Sequence, residues 1–416
     1  MANEAPVNNL LLRDKIVLFL KIKMILIIIS KLKGIEDMKQ VSLSMLLLSI
    51  LTIDAIAGKE TVVDGYVRGT YQSHDVKDDR VYKDDAIGGK LHFETVSTDG
   101  VSLGASYYGT TEVVNDDNRG LIPLRGETHK SYGILGELYL KYESENSMLK
   151  VGRQEIDLPF AQTDDIGMIP NTFESAIFTN KTIKDTTIFL GQVNKMAGVD
   201  AEVIDKFTKV NGSKNMQIVG ISYEGIANLA LAGWYHKLKG AEIEKIVYLE
   251  ANYAKELNRN YSYELGLQYS KQSYDVGADA KIFGGTVTVG SKYSGLTVSS
   301  AYTKVKNRVA SSGFGGGPFF SNSEYLIIDN AGADGTAKWL GAEIDGSKFG
   351  YRGLTLGLGK ITLETESEKE ATEVDFVASY EVNDNMEFHL IYSDLKGENV
   401  GEDDAKHLRV FANYNF

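Results

Sequence analysis

Between Val151 and Glu174 the chain reads VGRQEIDLPFAQTDDIGMIPNTFE, placing three aspartates (Asp157, Asp164, Asp165) and one guanidinium (Arg153) in a segment restricted by Pro159 and Pro170. Carboxylates so placed either impose a negative field on whatever passes them, or cap turns and pair with Arg153 to hold the loop in place. No constellation elsewhere suggests catalysis. The six histidines, His74, His92, His129, His236, His389 and His407, lack H-E-x-x-H or any other ligand spacing, and no G-x-S-x-G marks a serine nucleophile. With no cysteine, thiolate metal sites, disulfides and cysteine nucleophiles are excluded together. The run Asp329 to Gly335, and Glu398 with Glu402, Asp403 and Asp404, offer oxygens for calcium but not a dedicated loop spacing, so solvated acidic loops are the favoured reading. The chain therefore reads as a non-enzyme without metal or cofactor.

The elements that must position such a segment read as β-strands. At 43% hydrophobic, the sequence lacks the long apolar runs of a transmembrane helix bundle, while 42 glycines, 23 tyrosines and only 5 prolines suit a long-stranded, aromatic-rich β protein. Beyond Gly58 the chain divides into segments of about ten residues with period-2 alternation, the length and pattern of membrane-barrel strands. Eighteen such segments run from 60–73, 85–97 and 101–113 to 338–349 and 405–416. In the last, Leu408, Val410, Ala412, Tyr414 and Phe416 share one face, opposite Arg409, Asn413 and Asn415. The same reading puts Ile134, Leu138, Leu140 and Tyr142 against Glu137, Lys141 and Glu143, the apolar face meeting lipid and the polar face water. Short turns recur after every second strand, and Pro123, Pro159, Pro170 and Pro318 all fall in the longer connectors. Tyrosines near strand ends, among them Tyr142, Tyr223, Tyr253, Tyr261, Tyr293 and Tyr380, fit an interfacial girdle.

The start of the chain reads as addressing information. Residues 38–57, MKQVSLSMLLLSILTIDAIA, have a basic Lys39, an apolar core and an Ala55-Ile56-Ala57 site before Gly58, the features of a cleaved signal peptide. Residues 1–37 are then a doubtful upstream extension, and 58–416 the barrel. Ile16 to Ser30 is the competing membrane anchor, but Lys21 and Lys23 interrupt it. Residues 1–57 carry seven basic and five acidic side chains, so the whole-chain charge of −13 leaves −15 for the rest. Nucleic acid is an unfitting partner and cations are fitting ones. Terminal Tyr414 and Phe416, behind a signal peptide and a strand repeat, read as an outer-membrane assembly signal.

In the Val151–Glu174 stretch the Gly-Arg-Gln lead-in, Leu158-Pro159, Thr163-Asp164-Asp165 and Pro170-Asn171-Thr172-Phe173 resemble in combination the inward-folded third loop of the OprD family, which includes epsilonproteobacterial major porins. Gly315-Gly316-Gly317-Pro318-Phe319-Phe320 looks like the start of that family's seventh loop. The resemblance implies an all-β, transmembrane antiparallel barrel of about 18 strands, through which small hydrophilic solutes diffuse passively. It implies outer-membrane lipid and the barrel-assembly machinery as partners, with a possible homotrimer. On this reading Arg153, Asp157, Asp164 and Asp165 form a cation-selective constriction, with Pro159, Pro170 and Phe173 shaping the loop. The competing class is a surface adhesin or structural barrel whose interior is closed.

Overall fold

The computed structural model describes residues 61–79, 81–113, 131–210, 215–238, 242–397, 400 and 403–416. The signal segment, Ala55, Ala57, Gly58, Pro123, His129, Glu398 and Glu402 lie outside the described residues. Eighteen long strands follow one another: β1 (Val62–Val76), β2 (Val81–Glu94), β3 (Val101–Glu112), β4 (Tyr132–Glu143), β5 (Ser147–Gln154), β6 (Thr172–Asn180), β7 (Thr186–Ala197), β8 (Met216–Ile226) and β9 (Leu229–Leu238). The second half comprises β10 (Ile243–Glu256), β11 (Tyr261–Tyr274), β12 (Ala280–Ser291), β13 (Leu296–Lys306), β14 (Thr336–Asp345), β15 (Leu354–Glu364), β16 (Glu370–Asn383), β17 (Met386–Lys396) and β18 (Ala405–Asn415).

Each strand pairs antiparallel with its sequence neighbours, and β1 pairs with β18 from Tyr66↔Asn415 to Val76↔Ala405, which closes the sheet. Closure is what a bilayer demands of strands, because an open edge would leave N–H and C=O groups in hydrocarbon. Among the described residues no helix is long and apolar enough to cross a membrane. Short turns such as 257–260 and 292–295 lie at the end holding both barrel termini, and the long connectors 155–171 and 307–335 lie at the other. In such barrels the former end is periplasmic and the latter external. Tyr142, Tyr223, Tyr261, Tyr380 and Tyr414 are all exposed and sit at periplasmic strand ends.

Alternation is realised as expected in β11, where Leu265 and Leu267 are exposed while Gln268, Ser270 and Gln272 are buried within the barrel. In β18, Tyr414 is exposed and Arg409 and Asn413 are buried, so the apolar face of this strand points outward. Two expectations are corrected. In β4 the register shifts opposite Ser106 and Tyr107, a bulge that turns Ile134 inward beside Tyr108 while Leu138, Leu140 and Tyr142 face out. The lumen is also not uniformly polar: Ile218, Trp234, Ile246, Ile282, Val305 and Ile361 point inward and are buried. They are covered by apolar residues of the two long external connectors rather than by water. The first hairpin is longer than its polar sequence suggested, with His74↔Tyr82 and Asp75↔Val81 still paired. The segment 346–349 forms a 3-10 turn capped by Asp345 rather than continuing the strand.

Candidate functional site

The segment 155–171 enters the barrel and turns back on itself through a two-residue ladder, Asp157–Leu158 against Ala161–Gln162. Pro159 presets the first turn position and Phe160 occupies the second at φ 62°, a conformation that a bulky side chain adopts only where packing imposes it. The packing is evident: Phe160 is fully buried, edge-on to His236 (5.4 Å), Tyr248 (5.7 Å) and Phe319 (5.8 Å). Phe173 is likewise fully buried, at the point where the chain re-enters the wall as β6. Thr163 fixes the loop to itself, its hydroxyl accepting from Ile156 N at 3.0 Å. Asn171 donates to Asp200 at 2.6 Å, tying the return to the next external connector.

The connector 307–335 packs against this loop. Ala161 and Phe314 form a parallel bridge, with Gln162 N donating to Phe314 O at 2.8 Å. The glycine run is required by this approach: a Cβ on Gly313 would lie 2.7 Å from the Phe160 carbonyl oxygen, and one on Gly315 would lie 2.3 Å from that of Gln162. Asp164 accepts from Gly316 N at 2.9 Å. Two loops from distant parts of the chain thus form one plug across part of the lumen.

Asp165 forms the bidentate pair that holds this plug to the opposite wall. Arg68 of β1 donates to its two oxygens at 2.6 and 2.7 Å, to Gly167 O at 2.5 Å and to Asn413 at 2.8 Å. Arg409 of β18 pairs with Glu324 of the longer connector. Lys90 of β2 lies 2.9 Å from Glu155 and 3.1 Å from Glu137, and Tyr108 donates to Glu155 at 2.6 Å. A cavity of about 380 Å³ remains between loop and wall, lined by Asp64, Tyr66, Lys90, Glu155, Asp165 and Pro170 among others. In the longer connector, burial pushes the Asp329 carboxyl up from 3.8 to about 6, against the opposing effect of hydrogen bonds from Ser312 N (2.7 Å) and Oγ (3.0 Å).

The structure brings Asp164 and Asp165 to the lumen with the loop, while Asp157 is exposed and accepts from Thr163 N at 3.4 Å within its own turn. Arg153 is the correction. It pairs across to outward Leu138, on the face of Leu149 and Val151, donates to Leu135 O at 3.3 Å and lies 4.4 Å from the Phe207 ring. The cation facing the loop carboxylates is Arg68, with Lys90 and Arg409 on the neighbouring strands. Sequence reasoning missed these three and Phe160. Only the polar-face position of Arg409 was a usable signal.

A family model described as outer membrane porin, OprD family, matches residues 100–416. No curated protein sequence matches significantly. Similar solved structures include a BenF-like porin from Pseudomonas fluorescens Pf-5, at 16% identity over 86% of this chain and 99% of that one, with a TM-score of 0.75. Pseudomonas aeruginosa OccK9 (OpdG) matches at 17% over 86% and 98% with a TM-score of 0.74. Pseudomonas aeruginosa OpdK, solved with vanillate, matches at 16% over 86% and 99% with 0.73. At these identities the structural likeness is one of fold.

Proposed function

The chain belongs to the OprD family of outer-membrane porins, non-catalytic barrels for passive transport across the outer membrane of Gram-negative bacteria, and from that premise we propose that its pore prefers cations. The observation that carries this reading is the lining of the lumen cavity, where Asp64, Glu155 and Asp165 face Lys90, with Arg68 engaged by Asp165. Three carboxylates against two cations leave a net negative passage. In a confined pore such a difference acts through a lower effective dielectric than bulk water. Asp164 and Asp165 are the field-setting groups accessible to test, and both also hold the loop.

Reversal potentials across a salt gradient test the proposal. Asp164→Asn with Asp165→Asn should reduce cation preference, most visibly at low salt, where screening is weak, and raise conductance as the loop loses two of its anchors. An unchanged reversal potential in well-behaved channels would end the selectivity reading. A silent, properly folded barrel would instead favour the adhesin class.

A second reading rests on Arg68, Lys90 and Arg409, which project inward from adjacent strands β18, β1 and β2. Vanillate, with which OpdK was solved, is an aromatic carboxylate, and such an anion would exchange for the protein carboxylates that pair with these three cations. Concentration-dependent current block by vanillate, relieved in Arg68→Gln, supports it; absence of block refutes it. From the signal-like residues 38–57 we further propose cleavage between Ala57 and Gly58, and from the family membership assembly as a trimer. N-terminal sequencing of protein recovered from outer membranes should begin at Gly58, and any start upstream of it removes the cleavage site.

A further inference from the structure

The outward face of β9 to β13 carries a row of lysines that the lumen does not use. Lys271 is directly opposite Lys281, Lys281 is directly opposite Lys306, and on the neighbouring strands Lys237 is directly opposite Lys245. All five alternate with buried, inward-facing residues: Leu238, Ile246, Gln272, Ile282 and Val305. They therefore face away from the lumen. Lys237, Lys245, Lys281 and Lys306 are exposed, and the Lys271 side chain is 42% exposed. Like charges opposed across a strand pair destabilise the pair, and here two such pairs are consecutive. Among the described residues the acid paired with this row is Asp279, 2.9 Å from Lys271; nearby Glu242 is held by Arg308 at 2.6 Å.

Position gives the row its meaning. It lies at the external ends of the strands. One rung closer to the membrane centre are Tyr269 and Phe283, with ring centroids 5.0 Å apart, and below them exposed Leu265, Leu267 and Val287. At the periplasmic ends of the same strands the outward positions are instead Tyr253, Tyr261, Val289 and Leu296, with Lys255 the basic exception. Lysines that merely snorkel from an apolar belt would be expected at both interfaces. In a chain of net charge −13, a basic row concentrated in one leaflet needs an anionic neighbour there.

We infer that this face binds a phosphorylated glycolipid of the outer leaflet, its phosphate groups seated on Lys271, Lys281 and Lys306 and its acyl chains along the apolar rungs beneath. The phosphate supplies the counter-charge that Asp279 gives only to Lys271, and the aromatic shelf marks the boundary between headgroup and chains. The inference is independent of the selectivity reading, because these side chains point away from the pore.

Native mass spectrometry of the full chain in detergent, titrated with diphosphorylated lipid A, tests it. The wild type should retain the lipid, and the triple variant Lys271→Gln, Lys281→Gln, Lys306→Gln should bind it on the order of a hundredfold more weakly, from the contribution of each lysine beside an anionic surface. Conductance and reversal potential should stay unchanged, which also establishes that the variant is folded. If the triple variant fails to assemble, Lys281→Gln alone should still weaken binding about fivefold. Lys255→Gln should leave binding unaltered. Equal retention by wild type and variant overturns the inference, as does full competition by inorganic phosphate, which would make the row a free-phosphate site. A variant that changes oligomeric state and not lipid retention also overturns it, by making the face a contact between copies.

Discussion

Phe160 and Arg153 show how differently two residues of one loop are employed. Phe160 takes a left-handed backbone conformation, which costs energy, and recovers it by filling a ring-lined site on the inner wall. Phe160→Ala should remove about 3 kcal/mol or more of loop anchoring. The strands do not depend on that ring, so barrel assembly should be normal while single-channel conductance and open-channel noise rise. A variant with wild-type conductance and noise would mean that Asp165 and the glycine run suffice to hold the loop. Arg153, by contrast, points away from the passage. Its bonds to Leu135 O and the Phe207 ring secure an external connector to the wall.

At the scale of elements, the two inward loops support each other, and the buried Asp329 makes that support sensitive to pH. A carboxyl whose folded value is raised from 3.8 to about 6 favours the protonated form in the packed loop. Its stabilisation is fully present below about pH 4 and is lost as pH rises through 6. Current flicker from loop opening should therefore increase between pH 5 and pH 7, both taken as about those values on either side of the shifted group. Asp329→Asn keeps an acceptor for Ser312 without the titration and should flatten this dependence; identical pH profiles in variant and wild type would assign the flicker to another group.

The closing strand makes a second case. Gly65 and Phe416 exchange backbone hydrogen bonds at 3.0 and 3.1 Å, and a Cβ on Gly65 would lie 3.0 Å from the Phe416 ring. The ring thus sits at the seam between first and last strands. Phe416 also lines the lumen cavity, and removing it should lower the yield of assembled barrel, read as the heat-modifiable fraction on a gel. An unchanged yield would refute an assembly role for this ring.

For the whole molecule, charge is sorted by compartment. The outside carries tyrosines at the periplasmic rim and lysines at the external rim of β9 to β13, and the inside carries paired charges on the β18–β1–β2 wall facing the loop plug. The opposite inner wall is apolar because it is covered by protein. The cavity that remains lies on the charged side of the lumen, lined by Asp64, Lys90, Glu155 and Asp165 among others.

Strand number, closure into a membrane barrel and the outward face of β18 were legible in the sequence, because lipid on one side and a mostly polar lumen on the other impose period 2 on every strand. The short-turn and long-loop asymmetry was legible for a related reason: proline and turn residues cannot enter a hydrogen-bonded ladder. The third loop was legible as a loop, through its two prolines and its family resemblance. What only the tertiary structure decided is who meets it. Arg68 and Asp165 are separated by 97 residues, Asp164 and Gly316 by 152, and Arg409 and Ile166 by 243. No local pattern encodes such pairings. They exist because closing the sheet brings β18 beside β1 and because two loops fold into the same lumen. Ile134 and the inward apolar patch were misread for a related reason: alternation specifies that two faces differ, but what covers each face depends on a bulge or on a loop from elsewhere in the chain.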